Sequence, residues 1–118
     1  MFDQRVPPGV GVPPHIHTRE DESFYILSGQ VDFTIEGKVQ HAKAGDIVFG
    51  PRGVPHSYFG AGSEISHMVI VVSPGGFEEF FGRIGRRVSD PQSVVTPPTD
   101  ADIQRLLTVT PEFGIRML

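Results

Sequence analysis

Short runs of alternating hydrophobic and polar residues fill the chain from 22 to 72, separated by turn-forming residues. The clearest run is 30–36, where Val31, Phe33 and Ile35 fall on one face and polar side chains on the other. Such period-two alternation is typical of half-buried β-strands. Turn signals recur about every 8 to 12 residues, which predicts an all-β sandwich or barrel. The other predicted strands are 22–28, 39–42, 47–49, 56–59 and 67–72. The 67–72 run is apolar almost throughout, which predicts a strand buried on both faces.

A helical pattern replaces this alternation after 74–76. Apolar side chains then recur at i, i+3, i+4 and i+7, which predicts a short amphipathic helix packed on the strands. These side chains are Phe77, Phe80, Phe81 and Ile84. A second helix is predicted over 99–107, because Thr99 can cap it and acidic residues follow. Its apolar stripe is Ile103, Leu106 and Leu107. We expect 86–98 to link the two helices and the tail at 114–118 to add a last strand.

The composition narrows the class of protein. The 118 residues suffice for one domain. The 14 glycines and 11 prolines suit tight turns, and the absence of cysteine excludes disulfides and thiolate metal sites. A net charge of −4 without a strong Lys/Arg cluster argues against nucleic acid as a partner. No apolar run approaches the roughly 20 residues of a membrane-spanning helix, and the N-terminus lacks the apolar region of a secretory signal. We therefore expect a soluble cytoplasmic protein without a membrane partner.

Three histidines and one glutamate form a candidate metal site. His15 and His17 make a His-x-His pattern, and side chains two residues apart lie on the same face of a strand. Glu22 has the opposite parity from His17, so the polar stretch between them must bend to aim it inward. His56 must come from another strand, delivered by a turn rich in proline and glycine. Three imidazoles and a carboxylate suit Fe, Mn, Ni, Cu or Zn, and the sequence does not choose among them. The alternative is that the histidines hydrogen-bond inside the fold without a metal.

The glycines and prolines around these four residues resemble the two motifs of the cupin family. The first motif spaces Gly, His-x-His, Glu and Gly, and it is matched by Gly9, His15, His17, Glu22 and Gly29. The second spaces Gly, Pro-x-Gly, His and Asn, and it is matched by Gly45, Pro51, Gly53 and His56. Gly60 stands where the asparagine is usual. Because that asparagine is not a ligand, the departure leaves the metal-ligand set intact.

The resemblance implies an all-β fold, a double-stranded β-helix (jelly-roll) cupin barrel with one or two short C-terminal helices. Residues 1–118 would form a single cupin domain, with the barrel at about 5–73 and a helical segment and tail at about 74–118. It also implies one divalent transition metal per chain and a homodimer paired through barrel edges. Residues 7–14 read as a stiff, turn-rich lead-in, and the short stretch before His15 predicts that the barrel either lacks an outer strand or borrows one from a second subunit.

Two further acidic residues compete with Glu22 for the role of carboxylate ligand. They are Glu20 and Asp21. The family's first motif has six residues between its glutamate and its last glycine, which selects Glu22 because Gly29 follows at that distance. We therefore expect Glu20 and Asp21 to be solvated.

Several other side chains have more than one interpretation. Tyr58 shares the face of His56, where it either donates a hydrogen bond to a substrate or to oxygen or simply forms barrel wall. Phe24 and Ile26 share the parity of Glu22 and either line an apolar cavity or fill the core. Two histidines that match no motif are expected to be structural or surface residues. They are His41 and His67.

The stretch at 73–81 is also similar to small bacterial cupins that resemble quercetin dioxygenases. The resemblance implies a metal-dependent dioxygenase or oxygenase acting on a small enolisable or hydroxylated organic substrate. Glu22 would then accept a proton and Tyr58 would assist. One alternative is a metal-dependent isomerase or lyase that uses the same centre as a Lewis acid. The other is a module that binds a small ligand or metal without turnover.

Overall fold

The computed structural model describes residues 1–90 and 97–118, and β-strands dominate them. The strands are β1 (Phe2–Val6), β2 (Gly11–His17), β3 (Asp21–Ser28), β4 (Gln30–Ile35), β5 (Lys38–Lys43), β6 (Ile47–Gly50), β7 (His56–Ala61), β8 (Ser66–Ser73) and β9 (Ile115–Met117). The helices are α1 (Glu78–Ile84) and α2 (Asp100–Val109), and a 3₁₀ turn covers Thr110–Phe113. All six strands predicted within 22–72 are present, and the tail forms β9. Residues 91–96 of the predicted linker lie outside the described residues.

The strands form two antiparallel sheets. One has four strands in the order β1-β8-β3-β6, and the other has five in the order β5-β4-β7-β2-β9. Consecutive strands β2 and β3 belong to different sheets, as do β5 and β6, so the chain crosses repeatedly between them. The all-β jelly-roll prediction is confirmed. In the described residues the two sheets do not close into one hydrogen-bonded barrel, so they enclose the interior as a sandwich does.

Alternating side chains of both sheets fill the space between them. The alternation predicted for 30–36 is confirmed, because Val31 and Phe33 are completely buried and Ile35 nearly so. Burying a side chain of this size stabilises the fold by about 1.5 to 3 kcal/mol. The core consists of Val6, Phe24, Ile26, Val31, Phe33, Ile35, Ala42, Val48, Tyr58, Met68 and Ile70.

The N-terminal residues supply the outer strand that the sequence interpretation assigned to a partner or left missing. β1 pairs with β8 over its whole length, from Phe2 opposite Ile70 to Val6 opposite Ser66. The predicted lead-in is also wrong in part, because 11–14 already belong to β2. Proline tolerates this extended backbone, and a register shift in the β2–β7 pairing falls across the two prolines.

Strand β8 is buried on one face only, which corrects the prediction from its apolar run. Met68 and Ile70 face the core, whereas Val71 on the opposite face is 45% exposed. Residues 67–72 therefore alternate in burial although they do not alternate in hydrophobicity. On the outer face of this sheet, apolar side chains of β3, β6 and β8 such as Tyr25, Ile47 and Val71 are left exposed by the described parts of the chain.

The two helices lie where the sequence predicts them. Thr99 caps α2 in a capping box, in which its hydroxyl accepts from the Asp102 amide and the Asp102 carboxylate accepts from the Thr99 amide. The predicted stripe of α2 is only partly buried, since Leu106 packs inward whereas Ile103 and Leu107 are 42% and 47% exposed. In the described residues, neither helix is long and apolar enough to cross a membrane. Around Phe77 and Phe80, a second small core joins the helices to β9.

Candidate metal centre

The four predicted ligands come from three strands in two facing sheets. His15 and His17 lie on β2, and His56 lies on the neighbouring β7 directly opposite His15. Glu22 lies on β3 in the other sheet. The chain crosses from one sheet to the other between His17 and Glu22. The two residues therefore both face the interior despite their opposite parity, because alternation holds only within a single strand. All four side chains are buried.

The crossing segment and the turn before His56 are tied together by backbone bonds. Gly53 donates its amide to the His17 carbonyl at 2.8 Å, and the Arg52 amide donates to the Asp21 carboxylate at 2.8 Å. Gly53 has a φ of +79°, a backbone conformation that favours glycine and lets this turn form. Thr18 is anchored to the C-terminal tail through the Gly114 carbonyl. Asp21, expected to be solvated, is instead half-buried and paired with Arg52.

The side-chain donors converge on one point. Nε2 of His15 lies 3.1 Å from Nε2 of His17, which lies 3.3 Å from Oε1 of Glu22. The other carboxylate oxygen of Glu22 lies 2.9 Å from Nε2 of His56. One ligand atom from each of the four residues falls within 4.8 Å of the rest. The structure thus brings together all four candidates from both halves of the motif pattern.

The outer nitrogens of two rings face backbone carbonyls. Nδ1 of His15 lies 2.8 Å from the Pro13 carbonyl, and Nδ1 of His56 lies 3.3 Å from the Val54 carbonyl. A carbonyl can only accept, so Nδ1 of His15 carries the proton; His56 directs its proton toward Val54 only when its Nε2 does not donate to Glu22. In a neutral ring, Nε2 then keeps its lone pair for the common centre. These bonds fix ring orientation in the way that outer hydrogen bonds do around metal-binding histidines.

Burial sets the protonation states at this centre. It lowers the pKa of His17 to about 4 and also lowers the pKa of His15, so both rings are neutral at pH 7. Burial by itself would raise the pKa of Glu22, but the hydrogen bond with His56 and the electrostatic attraction of the three neighbouring histidines together outweigh it, and the pKa of Glu22 is lowered. The cluster thus holds the neutral imidazoles of His15 and His17 beside an ionised carboxylate, as metal binding requires.

These donors fit a divalent first-row transition metal. The neutral rings of His15 and His17 bring their Nε2 atoms within 3.1 Å of each other beside the negative charge of Glu22. A cation in this position could bind both Nε2 atoms once the ring protons lie on Nδ1, and it would offset the buried negative charge. Imidazole and carboxylate donors suit Fe, Mn, Ni, Cu and Zn alike. The cluster is able to hold a metal ion, and the donor types do not determine which metal it is.

Glu20, which the sequence predicts to be solvated, is instead buried next to the cluster. It is 8% exposed, and its Oε2 atom lies 3.5 Å from Nδ1 of His17. Neither of these two buried atoms has a hydrogen-bond partner among the described residues. Burial raises the pKa of Glu20. The sequence around Glu20 is polar and gave no sign of burial. The side chain is buried because its segment connects β2 to β3, which lie in different sheets.

A cavity of about 160 Å³ opens beside the ligand cluster. Its walls combine the inner faces of β1, β2, β3, β7 and β8 with helix α1. Most of the lining is apolar, and Gln4 and Tyr58 are its polar members apart from the cluster residues. Phe24 and Ile26 are each predicted either to line a cavity or to fill the core. Phe24 lines this cavity, whereas Ile26 fills the core. The cavity therefore offers the cluster a small and largely apolar compartment.

Helix α1 contributes more than packing to this compartment. Phe77 and Phe81 line the cavity, and the Phe77 ring meets the His17 ring edge-on with centroids 5.1 Å apart. Phe80 instead packs into the second core beside Phe113. These phenylalanines pack the helix against the sheet as predicted. Phe77 and Phe81 also form part of the cavity wall next to the cluster.

Tyr58 lies two residues after His56 on β7 and lines the cavity, as His15, His17 and Glu22 also do. Its ring packs against Phe24 and Phe33, with centroids 5.7 and 5.6 Å away. Burial, together with the nearby charge of Glu22, raises the pKa of Tyr58, so the phenol keeps its proton. His41 and His67 lie outside the cluster, where each contacts an aspartate at 2.6 Å.

The unusual glycine of the second motif has a structural reason. A Cβ atom at Gly60 would collide with the carbonyl oxygen of Pro7 and would lie 2.9 Å from its carbonyl carbon. The backbone of Gly60 also bonds to the passing chain, accepting from the Gly9 amide and donating to the Val10 carbonyl, each at 2.9 Å. Close backbone approach therefore excludes asparagine here. No pattern near residue 60 reveals this, because the colliding atoms come from the N-terminal segment.

The family model described as Cupin domain matches residues 2–73. This range contains all four candidate ligands and every strand except β9. The chain belongs to the cupin family. Quercetin 2,3-dioxygenase of Bacillus subtilis is similar to this cupin, with 35% identity over 79 residues, covering 67% of the chain and 23% of the relative. An oxalate-binding protein of Thermotoga maritima is 35% identical over 69 residues, covering 58% of the chain and 57% of that relative. The cupin thus spans less than two thirds of these curated relatives.

Solved structures place the fold in the same family. A conserved protein with a double-stranded β-helix domain from Klebsiella pneumoniae superposes with a TM-score of 0.57 and 31% identity, covering 63% of this cupin and 65% of that chain. A predicted oxalate decarboxylase from Thermotoga maritima superposes with a TM-score of 0.57 and 36% identity, covering 59% and 61%. The similarity supports the double-stranded β-helix description of the two facing sheets.

Proposed function

We propose that this cupin is a metal-dependent oxygenase that acts on a small enolisable or hydroxylated organic substrate. The observation that carries the proposal is the buried cluster of His15, His17, Glu22 and His56, all but the last of which line a largely apolar cavity. The similarity to quercetin 2,3-dioxygenases supports an oxygen-dependent reaction by analogy. A divalent metal held by these four side chains would supply Lewis acidity and electron transfer.

The protein's own residues would prepare the substrate. Among the described residues that line the cavity, Glu22 is the acidic one, and its ionised carboxylate is placed to accept a proton from a hydroxyl or from a carbon beside a carbonyl. Tyr58 keeps its phenolic proton and would donate a hydrogen bond to the oxygen anion that this transfer leaves. Phe24 and Phe77 would exclude water from the reacting atoms.

Cavity size narrows the substrate class. An apolar cavity of about 150 Å³ in another protein holds one benzene molecule, so a space of this size takes roughly six to ten non-hydrogen atoms. A three-ring flavonol such as quercetin would leave much of its volume outside the cavity of this cupin, which measures about 160 Å³. Single-ring catechols and short β-diketones fit. We therefore propose substrates smaller than the compound named in the quercetin dioxygenases.

Oxygen uptake tests this function. The protein would be loaded separately with Mn, Fe, Co, Ni, Cu and Zn and assayed with short β-diketones, catechols and flavonols. We expect oxygen consumption with a small substrate, its loss in Glu22→Gln, and its retention in the exposed-site control His41→Gln. Metal-loaded protein that consumes no oxygen with any of these compounds would contradict the proposal.

A non-catalytic module that binds a small ligand is the second candidate. The small cavity and the similarity to an oxalate-binding protein favour it over an isomerase or lyase. Ligand-dependent thermal shifts without any product would support it. Product formation without oxygen uptake would instead support the isomerase or lyase.

We also propose that the cupin forms a homodimer through the outer face of the β1-β8-β3-β6 sheet. This face carries apolar side chains that contact each other across strands, with Tyr25 opposite Ile47 and Val69. Strand β6 is an edge of its sheet and exposes Ile47 and Phe49 at 71% and 53%. Exposed apolar patches and open edges are commonly covered by association. A second copy of the same face would bury both, as twofold pairing requires.

Light scattering at micromolar concentration tests the dimer. We expect about twice the chain mass of 12.9 kDa for the wild type, and a single-chain mass for Ile47→Glu. The matched control is Val39→Glu, because Val39 is also strongly exposed but lies on the other sheet. A single-chain mass for the wild type, or an unchanged mass for Ile47→Glu, would contradict this interface.

A further inference from the structure

We propose that Glu20 is a positioning residue for the metal centre: its carboxylate accepts a hydrogen bond from Nδ1–H of His17 and thereby holds the ring with its Nε2 lone pair facing the ion. The proposal rests on the metal-binding cluster of the proposed function and is independent of which reaction takes place there. It assigns a role to a side chain outside the four-residue ligand set.

The first argument is the pattern shared by the three rings. Each histidine directs Nε2 toward the cluster and Nδ1 away from it. For His15 and His56 the atom facing Nδ1 is a backbone carbonyl. For His17 it is the carboxylate of Glu20. Glu20 therefore occupies, for one ring, the place that the backbone occupies for the other two.

The second argument is the unpartnered state of the two facing atoms. Nδ1 of His17 and Oε2 of Glu20 are both buried, lie 3.5 Å apart, and have no hydrogen-bond partner among the described residues. Because His15 carries its proton on Nδ1, its Nε2 is an acceptor, and the 3.1 Å contact with His17 is a hydrogen bond only if His17 carries its proton on Nε2. Nδ1 of His17 is then also an acceptor and faces a second acceptor on Glu20.

A metal ion resolves this conflict. It requires the lone pair of Nε2 on His17, so the single proton of the neutral ring must lie on Nδ1. There it can bond to Glu20 after a shift of a few tenths of an ångström. A carboxylate also raises the basicity of the ligand ring, as outer-shell carboxylates do for other metal-binding histidines. Glu20 thus favours the tautomer of His17 that binds metal over the one that does not.

Metal affinity and spectroscopy test the proposal without requiring catalysis. Zn²⁺ affinity would be measured by competition with a chromophoric chelator for the wild type, Glu20→Gln and Glu20→Ala. We expect roughly 10- to 100-fold weaker binding in Glu20→Ala. A smaller loss is expected in Glu20→Gln, whose amide oxygen can still accept the bond. The Co²⁺ absorption bands should shift in the same order. The charge-matched control is Glu64→Gln, since Glu64 is exposed and outside the cavity lining.

The stability of the metal-free protein separates positioning from packing. Removing a buried, unpartnered carboxylate should leave the metal-free unfolding midpoint unchanged or raise it, while Zn²⁺ affinity falls. Equal losses of affinity and of metal-free stability would overturn the proposal, as would Glu20→Ala binding Zn²⁺ within twofold of the wild type with an unaltered Co²⁺ spectrum. Glu20→Gln, which preserves volume, decides the question if Glu20→Ala does not fold. A wild type that binds no Zn²⁺ would refute the metal site itself.

Discussion

Acid should destabilise the metal-free protein through His17. Its pKa is about 4 in the folded protein and 6.5 in the ordinary state that the unfolded chain resembles. Between these values the unfolded chain binds a proton that the folded protein does not, so stability falls as pH decreases below about 6.5 and levels off below about 4. From pH 8 to pH 5, linkage gives a loss of about 2 kcal/mol from this one group.

Urea unfolding in the presence of a chelator measures this loss. For a domain of this size, a change of about 2 kcal/mol moves the urea midpoint by roughly 1 to 2 M. Burial lowers the pKa of His15 and raises that of Glu20, and these two shifts affect the acid response in opposite directions. The informative quantity is therefore the difference in pH dependence between the wild type and His17→Gln. The exposed-site variant His41→Gln serves as the control.

We expect His17→Gln to lose about 2 kcal/mol less stability than the wild type between pH 8 and pH 5, and His41→Gln to behave as the wild type. Equal pH dependence in the wild type and His17→Gln would refute the reasoning that burial keeps this ring neutral. That outcome would also remove the electrostatic argument for a cluster already in the protonation state that binds a cation.

Three further predictions concern the surroundings of the cluster. Gly60→Ala should lower the free energy of unfolding by about 1 to 3 kcal/mol in urea titrations, because its Cβ would collide with the Pro7 carbonyl; unchanged stability would contradict the close approach. Phe81→Ala should enlarge the cavity mouth and raise kcat/KM for flavonols relative to single-ring substrates, whereas an unchanged ratio would show that α1 does not limit size. Thr99→Ala should cost about 1 kcal/mol through the lost helix cap, with metal affinity unchanged; a thermal midpoint equal to that of the wild type would contradict the cap.

Much of this fold could be predicted because its strands bury one face. Period-two alternation located β4 and its core residues Val31 and Phe33 without any knowledge of the partner sheet. Alternation could not show which face of β8 is buried, because both faces of that strand are apolar and composition does not tell which face the other sheet covers. It also missed β1, because the polar Gln4 stands at an inward position between Phe2 and Val6 and interrupts the alternation, and because the partner strand β8 is 60 or more residues away in the chain.

The ligand cluster could be predicted and its surroundings could not. His15, His17, Glu22 and His56 were found because family spacing fixes the turns that bring them together. Glu20 lies in a crossing between sheets, where neither parity nor polarity predicts burial. Similarly, the reason for Gly60 depends on backbone from the opposite end of the domain. Local sequence thus indicated which side chains meet, whereas the outer contacts that orient them arise from distant segments.

Metal content is the most direct test of the shared centre. Purified protein would be incubated with excess Mn, Fe, Co, Ni, Cu or Zn, dialysed exhaustively and analysed for bound element, alongside His56→Ala and the exposed-site control His41→Ala. The convergence of four buried donors predicts one ion per chain of at least one of these metals in the wild type and the control, and little or none in His56→Ala. Full occupancy in His56→Ala, or none in the wild type with every metal offered, would contradict a centre built from both motifs.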